Sequence, residues 1–245
     1  MLCLYLQAPF AACRPFTAGW YRPTSTFLTP SAAYGLLLNI AGIESRLYEH
    51  EPAHDGSAPA TLIRPGLPEV RIALGAPDFG RLADSLPTVQ TIFQQLHNYR
   101  VGKSGMPPEL TKGTKNNITP VRREFLCNLR CYICIEGNDS LEDRICRGLN
   151  GEFNGTRYGV PFLGDNQFLL DRLEIESNER RRNAYWFEAV TESSGSPPRP
   201  HTTRLTVSID RADMSRTVSH LYSPNPVPEF HIPAAAWIPI APAKN

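Results

Sequence analysis

No stretch of this 245-residue chain approaches the roughly 18 consecutive apolar residues that a membrane-spanning helix requires. The apolar start, Met1 to Phe10, lacks a basic leader and is cut by Pro9, so a first strand is expected there, not a signal peptide. There is no glycine-rich P-loop, no His-x-x-x-His pair and no nuclease-like His/Asn cluster, and the acids are scattered without metal-site spacing. The motifs of nucleotide hydrolysis and metal-assisted catalysis are thus missing, and no metal or cofactor is expected. An excess of charge of one sign is missing too, for the net charge is only +1. That total hides an uneven distribution. From Arg100 to Arg123 six basic residues face one acid, Glu109, so this segment carries +5 and the remainder −4. Phosphates respond to local charge, not to the total. On charge alone the segment is equally a solvated loop.

What is present is ordinary for a globular protein: 41% apolar and 20% charged residues, with 23 prolines that favour a β-rich, loop-rich build. Six cysteines include Cys131-x-x-Cys134. Alternation from Glu124 to Glu136 sends Cys131 and Cys134 to opposite faces of a strand. Cys127 and Cys131 share a face but lie about 13 Å apart along it, beyond the roughly 7 Å limit for a disulfide. No second paired-cysteine motif completes a zinc site. The cysteines are therefore expected to be buried thiols in a reducing compartment, the cytoplasm.

Leu2, Leu4 and Leu6 alternate with Cys3, Tyr5 and Gln7, the period of a strand with one buried face. After a long loop, Ala8 to Leu28, Thr29 is the expected N-cap of a helix with Pro30 at its first position. Ala33, Leu36, Leu37 and Ile40 keep helical spacing up to a terminator at Gly42. A loop covers Glu49 to Pro68; Val70 to Leu74, Ile92 to Tyr99 and Glu124 to Glu136 then predict strands. Asp139 is expected to cap a second helix that buries Leu141, Ile145 and Leu149. A glycine-rich connection then leads to a strand around Leu169 to Ile175. This is the βαββαβ order of a ferredoxin-like α+β fold, with a basic thumb-like insertion at about 100–119 between the middle strands. Residues 1–177 are assigned to that domain and 178–245 to a β-rich C-terminal region, whose proline-rich tail packs around Trp237. Fold order alone assigns no function.

Three segments carry a family resemblance. "APFAACRPFTAGWYRPTSTFLTPSAAYGLLLNIAGIESR", Ala8 to Arg46, resembles the opening of the fifth Cas group of the RAMP superfamily, with its aromatic–basic loop and Pro-Ser-x-x-x-Gly helix start. "ITPVRREFLCNLRCYICIEG" resembles the middle strand of that group, and "GVPFLGDNQFLLDRLEIE" its glycine-rich loop and following strand. The flavour is that of the branch typed on a myxobacterial development operon, a relative of subtype I-B. The resemblance implies a non-catalytic subunit of a type I CRISPR surveillance complex (Cascade) that holds the 5′ handle of the guide RNA (crRNA). It also implies that the subunit caps the backbone-subunit filament, contacts the large subunit, and extends a thumb-like hairpin beside the first guide bases. Target DNA near the flanking motif is a further partner in that picture.

A single-stranded handle needs cations for phosphates, aromatic faces for unstacked bases, and amides that approach closely. The first loop offers Arg14, Phe16, Trp20, Tyr21 and Arg22 within nine residues, although its aromatics suit a core equally well. Ser31 and Tyr34 lie at the helix start, whose amides can meet a phosphate or simply be capped. Gly159 and Gly164 would let amides turn toward a phosphate, and Asn166 adds a polar contact. Lys112 and Lys115 belong to the insertion, where they would position phosphates. Of Arg122 and Arg123, one is expected to face RNA or a neighbouring subunit and the other to pair with Glu124.

Two other functions compete. The same subunit cleaves precursor RNA in one subtype of the family through a Tyr/Lys/His cluster, and His97, Tyr99 and Lys103 are the nearest candidates here. Alternatively, the chain is a β-rich scaffold without RNA contact and the basic insertion is a plain surface loop.

Overall fold

The computed structural model describes residues 1–15, 20–47, 62–98, 117–153, 159–177, 182–190, 199–228 and 230–241. Strand β1 (Leu2–Ala11) and the short β2 (Tyr21–Arg22) precede helix α1 (Pro30–Ile40). Next come β3 (Arg46–Leu47), β4 (Leu62–Ile63), β5 (Val70–Pro77), the one-turn α2 (Leu82–Ser85), β6 (Thr88–Asn98) and β7 (Asn117–Glu136). Helix α3 (Asp139–Leu149) leads through the glycine-rich segment to β8 (Arg172–Ile175). The C-terminal strands are β9 (Ala184–Ala189), β10 (Thr203–Ser208), β11 (Val218–Val227) and β12 (Ile238–Ile240). All but β3 and β4 join one ten-stranded sheet, ordered β10-β11-β9-β5-β7-β1-β8, with β12 on β5 and both β2 and β6 on β7. Every pairing in that sheet is antiparallel except β2 with β7. The chain is thus a mixed α/β protein with one large antiparallel sheet and few helices.

Each face of the sheet is apolar for a sequence reason. The leucines of β1, with Leu129, Ile133 and Ile135 of β7, pack under Leu36, Leu37 and Ile40 of α1 and Leu141 and Ile145 of α3. The alternate residues Cys3, Tyr132 and Cys134 turn to the other face, where Trp186, Ala236, Phe230 and Trp237 cover them. The tail therefore packs around Trp237 as expected, with Ile238 and Ile240 buried in β12.

Helix α1 begins where its sequence says it should. The Thr29 hydroxyl accepts the Ala32 amide, Pro30 occupies the first turn, and Gly42 just past the C-cap takes φ +65°. Helix α3 differs from expectation at its start: Asn138 is the cap, its side-chain Oδ1 accepting the Leu141 amide, and Asp139 lies within the helix. Leu141 and Ile145 are buried as expected, but Leu149 only partly, because the helix turns Gly148 inward. There α1 and α3 cross so closely that a Cβ on Gly148 would sit 2.0 Å from the Ile40 carbonyl oxygen.

Strand β7 is longer than its hydrophobic alternation. It runs 20 residues, or roughly 66 Å at about 3.3 Å per residue. Its second half lies at the centre of the sheet, between β1 and β5. Its first half pairs with β6 from Asn117↔Asn98 to Cys127↔Thr88, forming an arm. Pro120 and the polar residues around it break the pattern, yet a two-stranded arm tolerates a proline that a central strand would not.

The cysteine expectation needs correction. Cys3 and Cys134 face each other across the β1–β7 register and are joined as a disulfide. Comparing cysteines within one strand misses a partner 131 residues away in sequence, since antiparallel pairing brings directly opposed residues to about 4.5–5.5 Å. Cys13, Cys127, Cys131 and Cys146 are free, and burial pushes the Cys13 and Cys131 thiols up, away from reactivity.

Candidate nucleic-acid interface

The end of β1, one face of α1 along its length, the glycine-rich loop and the segment after β10 enclose an open cleft of about 910 Å³. Residues four apart on a helix share a face, so the Pro-Ser-x-x-x-Gly start of α1 presents Ser31, Gly35 and Asn39 to this cleft as one small, polar stripe. Arg14, Arg46, Arg64 and Arg211 also line it, against one acid among the described residues, Glu44. Glu44 holds Arg46 through two contacts of 3.1 and 3.2 Å, and the Arg64 guanidinium donates to the Arg46 carbonyl oxygen.

The first loop is stitched to the sheet at both ends. Ser25 N–H donates to the Cys13 carbonyl at 2.7 Å, and Cys13 N–H donates to Thr24 Oγ1. Glu124 accepts from the Tyr21 hydroxyl and from the Thr24 amide. In consequence β2 lies beside β7, Tyr21 opposite Arg122 and Arg22 opposite Arg123. Strand alternation then sorts the candidates into two groups. Arg22 and Arg123 turn toward Arg14 and Asp165, and burial together with these neighbouring arginines lowers the pKa of Arg14. Tyr21 and Arg122 turn the other way, with the Arg122 guanidinium 5.6 Å from the Tyr21 ring centre. Phe93 stands opposite Arg122 in the register and is 76% exposed. Trp20, also exposed, accepts the Arg122 amide with its carbonyl oxygen.

The pairing expected for Glu124 is corrected: Arg123 pairs with Asp165, at 2.6 Å. Residues 123 and 124 point to opposite faces, and Glu124 is engaged by the first loop. Arg123 is only 6% exposed, lies over the Phe168 ring and also reaches Gln94. It holds the loops together. Asp165 Oδ1 accepts the Gln167 amide, so one carboxylate both shapes the glycine-rich turn and fixes it to β7. Burial opposes ionisation of Asp165, but the Gln167 amide, Arg123 and the nearby Arg14 outweigh it and hold the carboxyl below its usual range.

Gly164 lines the cleft, but its backbone requires glycine for another reason. It has φ +79°, and a Cβ there would fall 1.7 Å from the Ala12 carbonyl oxygen, where the loop lies on the end of β1. Gly159 has open space around its Cβ position and accepts a hydrogen bond from the Asn39 side chain. Asn166 is exposed at the tip of the turn. Tyr34 is 8% exposed, donates to the Pro68 carbonyl at 2.6 Å, and has its phenol pushed up to about 12 by burial. Phe16, Tyr99, Lys103, Lys112 and Lys115 lie outside the described residues, and of His97 only the backbone is placed, opposite Ile118. Among the described residues no group of three or more His, Cys, Asp or Glu is arranged to hold a metal ion, and no helix is long and apolar enough to cross a membrane.

Arg46, Arg64, Arg211, Asp165 and Phe93 carry no sequence signal as site residues, since each is remote from the matched motifs or is ordinary within them.

Fold and cleft together define a mixed α/β protein whose large antiparallel sheet supports an arginine-lined groove. Residues 1–219 match the family model described as CRISPR-associated protein (Cas_Cas5), and the chain belongs to that family. A solved chain described as "CRISPR RNA-guided surveillance complex" is 13% identical, with 93% of this chain and 91% of that one covered at a TM-score of 0.54. A second, described as "Crystal structure of Cas protein", is also 13% identical, with 93% and 95% covered at a TM-score of 0.47. No curated protein matches the chain.

Proposed function

We propose that the chain is a non-catalytic subunit of a type I CRISPR effector complex and holds the 5′ handle of the guide RNA in the arginine-lined cleft. The observation that carries this reading is the convergence of four arginines, the α1 stripe and the glycine-rich loop on one cleft, with one acid among the described residues. Arg14, Arg64 and Arg211 neutralise phosphates in the cleft, while Trp20, Tyr21 and Phe93, which lie outside it near Arg122, offer faces for bases that the strand carries past its edge. Tyr34, Arg123 and Gly164 serve by holding the walls in place. The β6–β7 arm, with Lys112 and Lys115 in the segment between its strands, acts as the thumb beside the first guide bases. Backbone and large subunits of the complex are the protein partners. The order β8-β1-β7-β5, antiparallel and covered by α1 and α3, supports a ferredoxin-like core within residues 1–177, with 178–245 as its β-rich extension.

The test is titration of labelled handle RNA into the full chain over a range of salt. For single strands log K falls with log salt by about 0.7 per neutralised phosphate. The Arg14→Gln/Arg64→Gln/Arg211→Gln variant should therefore lose about 2 units of slope and weaken at least tenfold at low salt. An unchanged slope overturns the cleft as the handle site. Metal-independent cutting of repeat RNA by the unaltered chain, lost in His97→Ala, overturns the non-catalytic part.

A further inference from the structure

The sheet face opposite α1 carries a second basic feature that the handle reading does not use. Cys3, Tyr5 and Gln7 of β1 point to this face, away from the buried Leu4, Leu6 and Ala8. The C-terminal cover of Trp186, Phe230 and Trp237 reaches Tyr5 and Tyr132. One step along the strands, Gln7 is paired with Arg172 of β8 on one side and Arg130 of β7 on the other. Arg172, Gln7 and Arg130 therefore form a straight row across three neighbouring strands, roughly 10 Å from end to end at about 4.8 Å per strand.

Two aromatic rings lie against this row. The Arg130 and Arg182 guanidiniums stand 4.7 and 5.4 Å from the centre of the Phe79 ring, and that of Arg172 stands 5.5 Å from the Tyr5 ring. Burial pushes the Tyr5 phenol up, Arg130 and Arg172 pull it back, the nearby Glu176 carboxylate adds to the rise, and Arg182 acts with the other arginines. Arg172 is paired with Glu174 at 2.5 Å. Among the described residues no carboxylate lies within ion-pair distance of Arg130 or Arg182. Two guanidiniums on one ring, without an ion-pair partner among the described residues and with Glu176 acting only from a distance, repel each other, and an anion bridging them relieves that repulsion.

We propose that the Arg172–Gln7–Arg130 row, with Arg182, is a second binding track that takes the phosphodiester backbone of a single nucleic-acid strand without reading its sequence. Planar guanidiniums at strand spacing match successive phosphate oxygens, and Phe79 and Tyr5 supply the adjoining ring faces. A sheet face flanked by rings and cations favours a nucleic-acid strand over an acidic peptide, which has no bases to stack. The track goes beyond the handle reading, because the cleft lies on the α1 side of the sheet.

The experiment uses the full chain and labelled 12-nucleotide RNA and DNA of one arbitrary sequence lacking the handle. Arg130→Gln/Arg172→Gln/Arg182→Gln should weaken binding about tenfold at low salt and remove about 2 units of the salt slope. Lysine at the same three positions should retain the slope. A loss with both sugars supports a track blind to the sugar; a loss confined to one supports a track for that strand. An unchanged slope with both oligonucleotides overturns the proposal. So does a variant that loses binding to poly-glutamate while keeping both oligonucleotides, for the face then meets a protein. Handle RNA tested with the cleft variant gives a separate answer, so either reading can fail alone.

Discussion

Replacing Asp165 with alanine should lower the unfolding free energy by about 3–5 kcal/mol, because it leaves the buried Arg123 guanidinium without its counter-charge. The Arg123 and Asp165 side chains are only 7% and 19% exposed, so solvent cannot take over the role of the lost partner. For a chain of this size about 1 kcal/mol corresponds to 2–4 °C, and the melting temperature should fall by roughly 6–20 °C. The double variant Arg123→Met/Asp165→Leu removes both charges and should recover most of the loss. The Asp165 pKa is lowered in the folded protein, so its contribution is present above the unfolded carboxylate pKa and disappears as pH falls through the folded one. Melts from pH 7 down to pH 2 should therefore show the difference between wild type and Asp165→Ala closing only below about pH 4. A constant difference across that range would mean that lost packing, and not the stranded charge, is responsible.

The second large effect belongs to the crossing of α1 and α3. Gly148→Ala places a methyl 2.0 Å from the Ile40 carbonyl oxygen and 2.8 Å from the Phe153 ring. The ring can turn, but a backbone carbonyl within a helix cannot withdraw without moving the helix. Overpacking of this kind costs about 1–3 kcal/mol, and more where backbone must shift; we expect about 3 kcal/mol. Gly35→Ala on the exposed side of α1 is the control, since a Cβ added there would have no atom within 4 Å. It should stabilise the protein by about 0.8–1 kcal/mol through helix propensity alone. Denaturant melts of the two variants should move in opposite directions, and like signs would refute the close-crossing account.

Much of this is legible from residue type and spacing. The Thr29-Pro30 cap, the leucine alternation of β1 and the β7 alternation from Leu129 to Ile135 each follow from local rules and have their counterpart in the structure. Nearer the start of β7 the alternation fails, because Asn128 takes φ +58° and Leu126, not Cys127, is buried. Reading fails where the determinant is a partner distant in sequence. Cys3 meets Cys134, and Arg123 meets Asp165, through strand register and loop placement that no local window contains. The arm is underestimated because Asn117 to Pro120 carry no apolar period, and pairing with β6 alone makes them a strand. In the cleft, the α1 stripe is visible as Pro-Ser-x-x-x-Gly, whereas Arg46 of β3, Arg64 just after β4 and Arg211 after β10 are brought together only by the fold.

Strand β7 has one further consequence. At Ile133 it is hydrogen-bonded between two neighbours, β1 and β5, in the middle of the sheet; at Thr119 it has β6 alone among the described residues. One unbroken strand therefore joins the part of the molecule that opens last to a part that can open by itself. Amide hydrogen exchange along it should form a gradient, slow at Ile133 and fast toward Asn117. The arm can then fray and re-form on a partner while the register that sets the central sheet stays locked.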